Sequence, residues 1–203
     1  MKKTYERIEE IRDTAEHIHS GDVVWVGDTE GTAADFLSAL AARRNELDNV
    51  TLLVVAERKP NASLETLRHC GGFRVLSFYS GAIQETYRDG SQRDRYKFLT
   101  SPAGKALGLV CRHYNVNTMV LPVSQPDKNG CCSVSKTAAL AAEFVSTCPS
   151  VTNRIALIDS SMQHSKATLP LASFDTIGLR GDLKTRDIFD NSQEPKTRTE
   201  AAA

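Results

Sequence analysis

The sequence has no excess of charge of either sign: its 25 lysines and arginines are matched by 25 aspartates and glutamates, for a formal net charge of +0. That balance gives no electrostatic reason to expect a nucleic acid, an anionic membrane or a polycationic partner, and it favours small or neutral ligands. Long apolar runs are missing as well. The longest, such as Val23–Val26 and Leu52–Ala56, are strand-sized, far below the roughly 20 residues of a membrane-spanning helix. Behind Lys2 and Lys3 the N-terminus runs directly into acidic helix formers, without the apolar centre of a signal peptide. A cytoplasmic chain is expected.

Cysteine is sparse. The five present (Cys70, Cys111, Cys131, Cys132, Cys148) are odd in number and contain no CxxC pair, so neither a disulfide framework nor a zinc knuckle is indicated, and reduced thiols without a metal are expected. The sequon Asn61-Ala62-Ser63 carries little weight in a chain with no secretion signal. Neither the GxGxxG fingerprint nor the P-loop pattern occurs, which lowers the case for a nicotinamide enzyme or an NTPase.

What remains is an ordinary globular composition, 203 residues with 40% hydrophobic and 25% charged side chains, enough for one α/β domain. Tyr5, Ile8, Ile11, Ala15 and Ile18 recur at spacings of three and four and predict an opening helix ending near Ser20-Gly21. Val23–Val26, closed by Gly27-Asp28, predicts a strand buried on both faces. The alternation then repeats: helix Ala33–Arg44, strand Val50–Ala56, helix Leu64–Arg68, strand Phe73–Tyr79. Beyond a charged stretch at Tyr87–Lys97 come helix Pro102–Tyr114, strand Thr118–Val123, helix Lys136–Thr147, strand Arg154–Ile158 and a short candidate, Phe174–Leu179. Six apolar runs separated by helical patterns predict a doubly wound, mostly parallel open sheet with helices on both faces, occupying residues 1–179. From Arg180 the apolar content collapses, and residues 180–203 are expected to form a frayed tail or a partner-binding strap.

In an open parallel sheet, ligands bind outside the carboxyl ends of the strands. Four polar loops directly follow apolar runs: Gly27–Gly31, Ser80-Gly81, Ser124–Gly130 and Asp159–Gln163. The glycines of the first loop flank a helix start, so they serve either a tight turn or backbone amides that cradle an anion or a developing oxyanion. Glu30 reads equally as a general base or as a first-turn acid favoured by the helix dipole. Cys131 and Cys132 invite a nucleophile reading, but no histidine lies near them in sequence, and small buried cysteines are the preferred reading. His17 and His19, two apart on the predicted helix, would point to different faces and make no metal pair. Ser133-Val134-Ser135-Lys136 matches SxxK without the companion motifs of serine acyl-enzymes, and is read as chance.

The segments SGDVVWVGDTEGTAADFLSAL, FYSGAIQETYRDGSQRDRYKFLTSP, VNTMVLPVSQPDKNGCCSVS and RIALIDSSMQ fall in the order expected of the N-terminal half of acetyl-CoA hydrolases and 4-hydroxybutyrate CoA-transferases. From about Ser20 to Thr168 the chain thus resembles the family I coenzyme A transferases. The most specific piece is Ser124–Ser135, which resembles the family's SPPDxxGYCSLG loop, with Asp127, Gly130, Cys132 and Ser133 at matching positions. Departures are Gln84 where relatives carry arginine, no proline in Thr32-Ala33-Ala34, and Met162-Gln163 in place of Met-Pro.

The resemblance implies an acyl-CoA or small carboxylic acid substrate, no metal, and a second, facing CoA-transferase-like domain that holds the catalytic glutamate and most of the CoA site. No residue of this chain matches that nucleophile, so a separate partner subunit is expected to supply it. Glu30 is then the candidate catalytic residue here, with Gly27, Thr29, Gly31, Ser80, Gly81, Gln125, Asp127, Met162 and Gln163 as candidate substrate-binding residues. The departures keep open hydrolysis, decarboxylation or other remodelled thioester chemistry, and a non-catalytic structural subunit is the further alternative.

Overall fold

The computed structural model describes residues 7–57, 59–80, 113–135, 148–162, 165 and 167–181. Nearly all of the expected helix Pro102–Tyr114, all of the expected helix Lys136–Thr147, the positions Gly81, Gln84 and Gln163, and the tail from residue 182 lie outside the described residues.

Among the described residues seven strands form one sheet: β1 (Arg7–Glu10), β2 (Val23–Val26), β3 (Val50–Glu57), β4 (Phe73–Ser80), β5 (Thr118–Val123), β7 (Asn153–Ile158) and β9 (Thr176–Leu179). Their order is β1-β9-β7-β5-β2-β3-β4, and every neighbouring pair is parallel. The expected α/β class with a mostly parallel sheet is therefore what the chain adopts. The strands read as continuous apolar runs because the sheet is covered on both faces, and β5 is buried at all six positions.

Side-chain alternation divides the core in two. Trp25, Leu53, Met119, Leu121 and Ile158 point into one layer, whereas Val24, Val26, Leu52, Val54, Val120 and Leu157 point into the other. The second layer is closed by α1 (Thr32–Ala42) and α2 (Ala62–Arg68), through Phe36, Leu37 and Leu40 of α1 and Leu64 and Leu67 of α2. Each such side chain contributes about 1.5–3 kcal/mol on burial. Over the first layer lies a small antiparallel pair, β6 (Cys131–Ser133) with β8 (Thr168–Pro170), which seals it with Cys132 and Leu169. No helix among the described residues is long and apolar enough to cross a membrane.

The opening helix is a correction. Arg7–Glu10 is an edge strand whose register runs from Arg7 opposite Thr176 to Glu10 opposite Leu179, and only Asp13–His17 forms a turn of 3-10 helix. Ile8 packs on the Trp25 side of the sheet and Ile11 on the α1 side, a separation that no single helical stripe allows. Pairing with β9 satisfies a row of backbone groups that a helix over these residues would leave at an open edge. Ile11, Ala15 and Ile18 keep their buried positions, and the Arg43 guanidinium donates to the Ala15 carbonyl and, at 3.2 Å, to that of Ile18, tying the segment to the end of α1.

Candidate functional site

The chain leaves β2 toward β3 and β4 on one side, while β5, β7 and β9 are laid down on the other. The junction of β2 with β5 is thus the topological switch point, and the crevice beyond its carboxyl end is where this architecture takes ligands. The Gly27 amide donates to the Val120 carbonyl at 3.0 Å and carries the β2–β5 pairing to that edge.

The loop after β2 is built by its own acid. Asp28 Oδ1 accepts the amides of Thr29 at 2.7 Å and Glu30 at 3.3 Å, turning the chain into α1. Thr29 is buried, and its carbonyl accepts from Asn61 Nδ2 at 2.9 Å. Asn61 Oδ1 in turn accepts the Leu64 amide at 3.0 Å as the N-cap of α2. One amide side chain therefore fixes the loops after β2 and β3 to each other.

Gly31 caps α1 at φ 59 and ψ −131, a conformation that side chains with a Cβ avoid. A Cβ there would lie 2.6 Å from Asp159 Oδ2. Asp159 is the first residue beyond β7; its amide donates to the Val123 carbonyl at 2.8 Å, and its Oδ1 accepts from the Ser161 amide at 2.9 Å and hydroxyl at 2.6 Å. The loops after β2 and β7 thus meet above the end of β5.

The loop after β5 is tightly self-bonded. The Ser124 amide donates to the Ser133 carbonyl and Ser124 Oγ accepts from the Ser133 amide, both at 2.9 Å, while the same hydroxyl donates to the Gln125 carbonyl at 2.8 Å. Asp127 Oδ1 accepts from the Asn129 and Cys131 amides, each at 2.9 Å. The Gly130 carbonyl accepts from the Leu171 amide at 2.9 Å. The positions that match the family motif are therefore the ones that shape this turn. Cys132 is fully buried, and burial first, then the neighbouring Cys131 and Asp127, push its thiol up from the usual 9.0 to about 12. A thiol so held stays protonated and is no nucleophile at neutral pH.

Of the predicted site residues, the carboxyl ends of the adjacent strands β2, β5 and β7 bring Gly27, Thr29, Glu30, Gly31, Gln125, Asp127 and Met162 to one edge of the sheet. Glu30 is exposed in the turn that enters α1, and Met162 is half-buried with its amide on the Asp159 carbonyl at 3.2 Å. Ser80 ends the edge strand β4, two strands from β2. His17 and His19 do not converge: His17 Nε2 lies 2.6 Å from Glu9 Oε1, and His19 Nδ1 lies 3.9 Å from Asp22 Oδ2. Among the described residues no group of three or more metal-ligating side chains is placed to hold an ion. Asp28, Asn61 and Asp159 were not among the predicted residues. The signal was present for each, as a polar residue just after an apolar run or just before a short helix.

The open parallel sheet is an α/β fold, and solved structures with CoA-transferase-like folds share it. The chain is similar to RipA from Yersinia pestis, with 17% identity and a TM-score of 0.67 over 86% of this chain and 42% of that one. It is also similar to a 4-hydroxybutyrate CoA-transferase from Porphyromonas gingivalis, with 15% identity and a TM-score of 0.52 over 85% of this chain and 39% of that one. A variant of the decarboxylase AibA/AibB matches with 12% identity and a TM-score of 0.53, over 85% of this chain and 82% of that one. At these identities the likeness is one of fold, and the chain spans less than half the length of the first two. No family model and no curated protein matches the sequence.

Proposed function

We propose that this chain supplies one half of an enzyme acting on acyl-CoA thioesters, with the other half on a second α/β chain of the same kind. The observation that carries the reading is the meeting of the loops after β2 and β7 over the β2–β5 junction, where Gly31 lets Asp159 approach within the space of a missing Cβ. Gly27, Thr29 and Gly31 form the floor of the acyl pocket in this reading. Gln125, Asp127 and Met162 stand beside it on the same edge, Glu30 faces the substrate from the entry to α1, and Ser80, Gly81 and Gln163 are assigned to substrate binding on the sequence resemblance alone.

Coenzyme A enters as part of the substrate. The facing half brings a glutamate whose carboxylate attacks the thioester carbonyl, expelling the CoA thiolate and leaving an acyl anhydride. The thiolate then attacks the glutamyl carbonyl, releasing the acyl group as its carboxylate and leaving CoA as an enzyme thioester. The buried, protonated Cys132 offers no substitute nucleophile from this side. The likeness to a CoA-transferase supports the substrate class, and coverage of 82% of the decarboxylase chain supports the subunit-sized unit. In this reading the enzyme works in the cytoplasm.

Hydrolysis or decarboxylation of the bound acyl group is the second reading, favoured by the decarboxylase likeness and by Gln84 and Met162-Gln163 where the transferases differ. The test is to coexpress the chain with a candidate second α/β chain and follow the loss of butyryl-CoA with and without acetate, measuring acetyl-CoA as the product of transfer and free CoA as the product of hydrolysis. Turnover by the complex and none by either chain alone is expected; dependence on acetate marks transfer, and independence marks hydrolysis. Turnover by the isolated chain, or an inert complex that gains only stability, overturns the proposal, the latter in favour of a structural subunit.

A further inference from the structure

We infer that Asp159 reads the acyl group of the bound thioester, selecting acyl chains that carry a hydrogen-bond donor and rejecting those that carry a second carboxylate; the inference rests on the acyl-CoA reading above. Its two oxygens have different surroundings. Oδ1 is fixed by the Ser161 amide at 2.9 Å and hydroxyl at 2.6 Å, which locks the orientation of the carboxylate. Oδ2 is turned the other way, toward Gly31, and among the described residues no hydrogen bond to it is seen. Thr32 Oγ1, in the same turn, does not serve it, being buried without a hydrogen-bond partner.

An oriented carboxylate oxygen with unused acceptor capacity, half-buried at the switch point, has a definite chemical preference. It accepts from a hydroxyl, gaining a charge-assisted hydrogen bond, and it repels an anion held nearby. Glu30 is less suited to the task, being exposed, with no side-chain bond seen among the described residues. The glycine at position 31 is part of the same device, since any Cβ there would displace Oδ2. A purely structural Asp159, present only as a negative charge near the start of α1, would affect stability and leave the choice of acyl chain untouched.

The experiment is calorimetric titration of the full chain, in complex with its partner, with butyryl-CoA, 3-hydroxybutyryl-CoA and succinyl-CoA, repeated on Asp159→Asn. For the wild type we expect 3-hydroxybutyryl-CoA to bind about 10-fold tighter than butyryl-CoA, and succinyl-CoA to bind most weakly. In Asp159→Asn, an isosteric change that removes the charge, the three affinities should fall within about 3-fold of one another, chiefly through tighter binding of succinyl-CoA. Equal affinities in the wild type, or an unchanged order in the variant, overturn the inference while leaving the acyl-CoA reading intact. Failure of all three thioesters to bind the wild-type complex overturns both.

Discussion

Gly31 and Asp159 meet across the carboxyl edge of the sheet so closely that Asp159 Oδ2 lies 2.6 Å from the point where a side chain on Gly31 would begin. The contact joins the N-cap of α1 to the first residue beyond β7, a strand two places from β2 in the sheet. The glycine thus serves the backbone conformation and also leaves room for the carboxylate where it stands.

Gly31→Ala should therefore destabilise the fold by about 1–3 kcal/mol from the backbone conformation alone, lowering the melting temperature by about 3–10 °C. Adding Asp159→Ala should restore only the steric part. Thermal unfolding of the single and double variants checks this, and an unchanged midpoint in Gly31→Ala would contradict the geometry.

Asn61→Ala removes both the N-cap of α2 and the donor to the Thr29 carbonyl. A loss of about 1–2 kcal/mol is expected in urea unfolding. Asn61→Asp keeps the cap but not the donor, so it should fall between the two; equal stability of wild type and Asn61→Ala would remove the link between the loops.

Much of this arrangement was legible in the sequence because burial on both faces leaves a plain signature. Val23–Val26, Met119–Val123 and the run through Ile155–Ile158 are apolar without alternation, and each lies in a sheet strand closed at the carboxyl edge, by Gly27-Asp28, Ser124 and Asp159 respectively. The opening strand was not legible, since Ile8 and Ile11 fit a helical spacing equally well and only pairing with β9, far along the chain, places them on opposite faces. Strands β6 and β8 have three residues each and acquire meaning only when Cys132 meets Leu169. The site was legible as a set of loops, but Asp159 opposite Gly31 depends on a crossover that no local pattern encodes.

The corrected N-terminus is open to a direct check at Gly178. A Cβ there would lie 2.8 Å from Thr14 Cγ2, 3.1 Å from Leu157 Cδ2 and 3.3 Å from the Ile11 backbone. Gly178→Ala should cost about 1–3 kcal/mol by overpacking. Were the opening segment a helix docked elsewhere, the substitution on β9 would be close to neutral.

Stability should also respond to alkali through Cys132. Its thiol ionises near 9.0 when exposed and near 12 in the fold, so above the lower value the unfolded chain releases a proton that the folded chain retains. The contribution is fully present below pH 9 and is lost progressively as pH rises through about 12, at up to ~1.4 kcal/mol per pH unit. The difference in unfolding free energy between wild type and Cys132→Ala, measured from pH 8 to 10.5, should therefore shift against the wild type as pH rises. A pH-independent difference would show that the thiol is not held neutral.

The central claim is that an acyl-CoA thioester is taken at the carboxyl edge, over the β2–β5 junction. Hydrogen–deuterium exchange of the two-chain complex, with and without butyryl-CoA, tests it most directly. Protection is predicted in the peptides covering Gly27–Ala33, Ser124–Cys131 and Asp159–Met162. Protection confined to the opposite edge, in the cleft of about 540 Å³ lined by His17, Asp22, Asn117 and Asn153, or none at all, would contradict it.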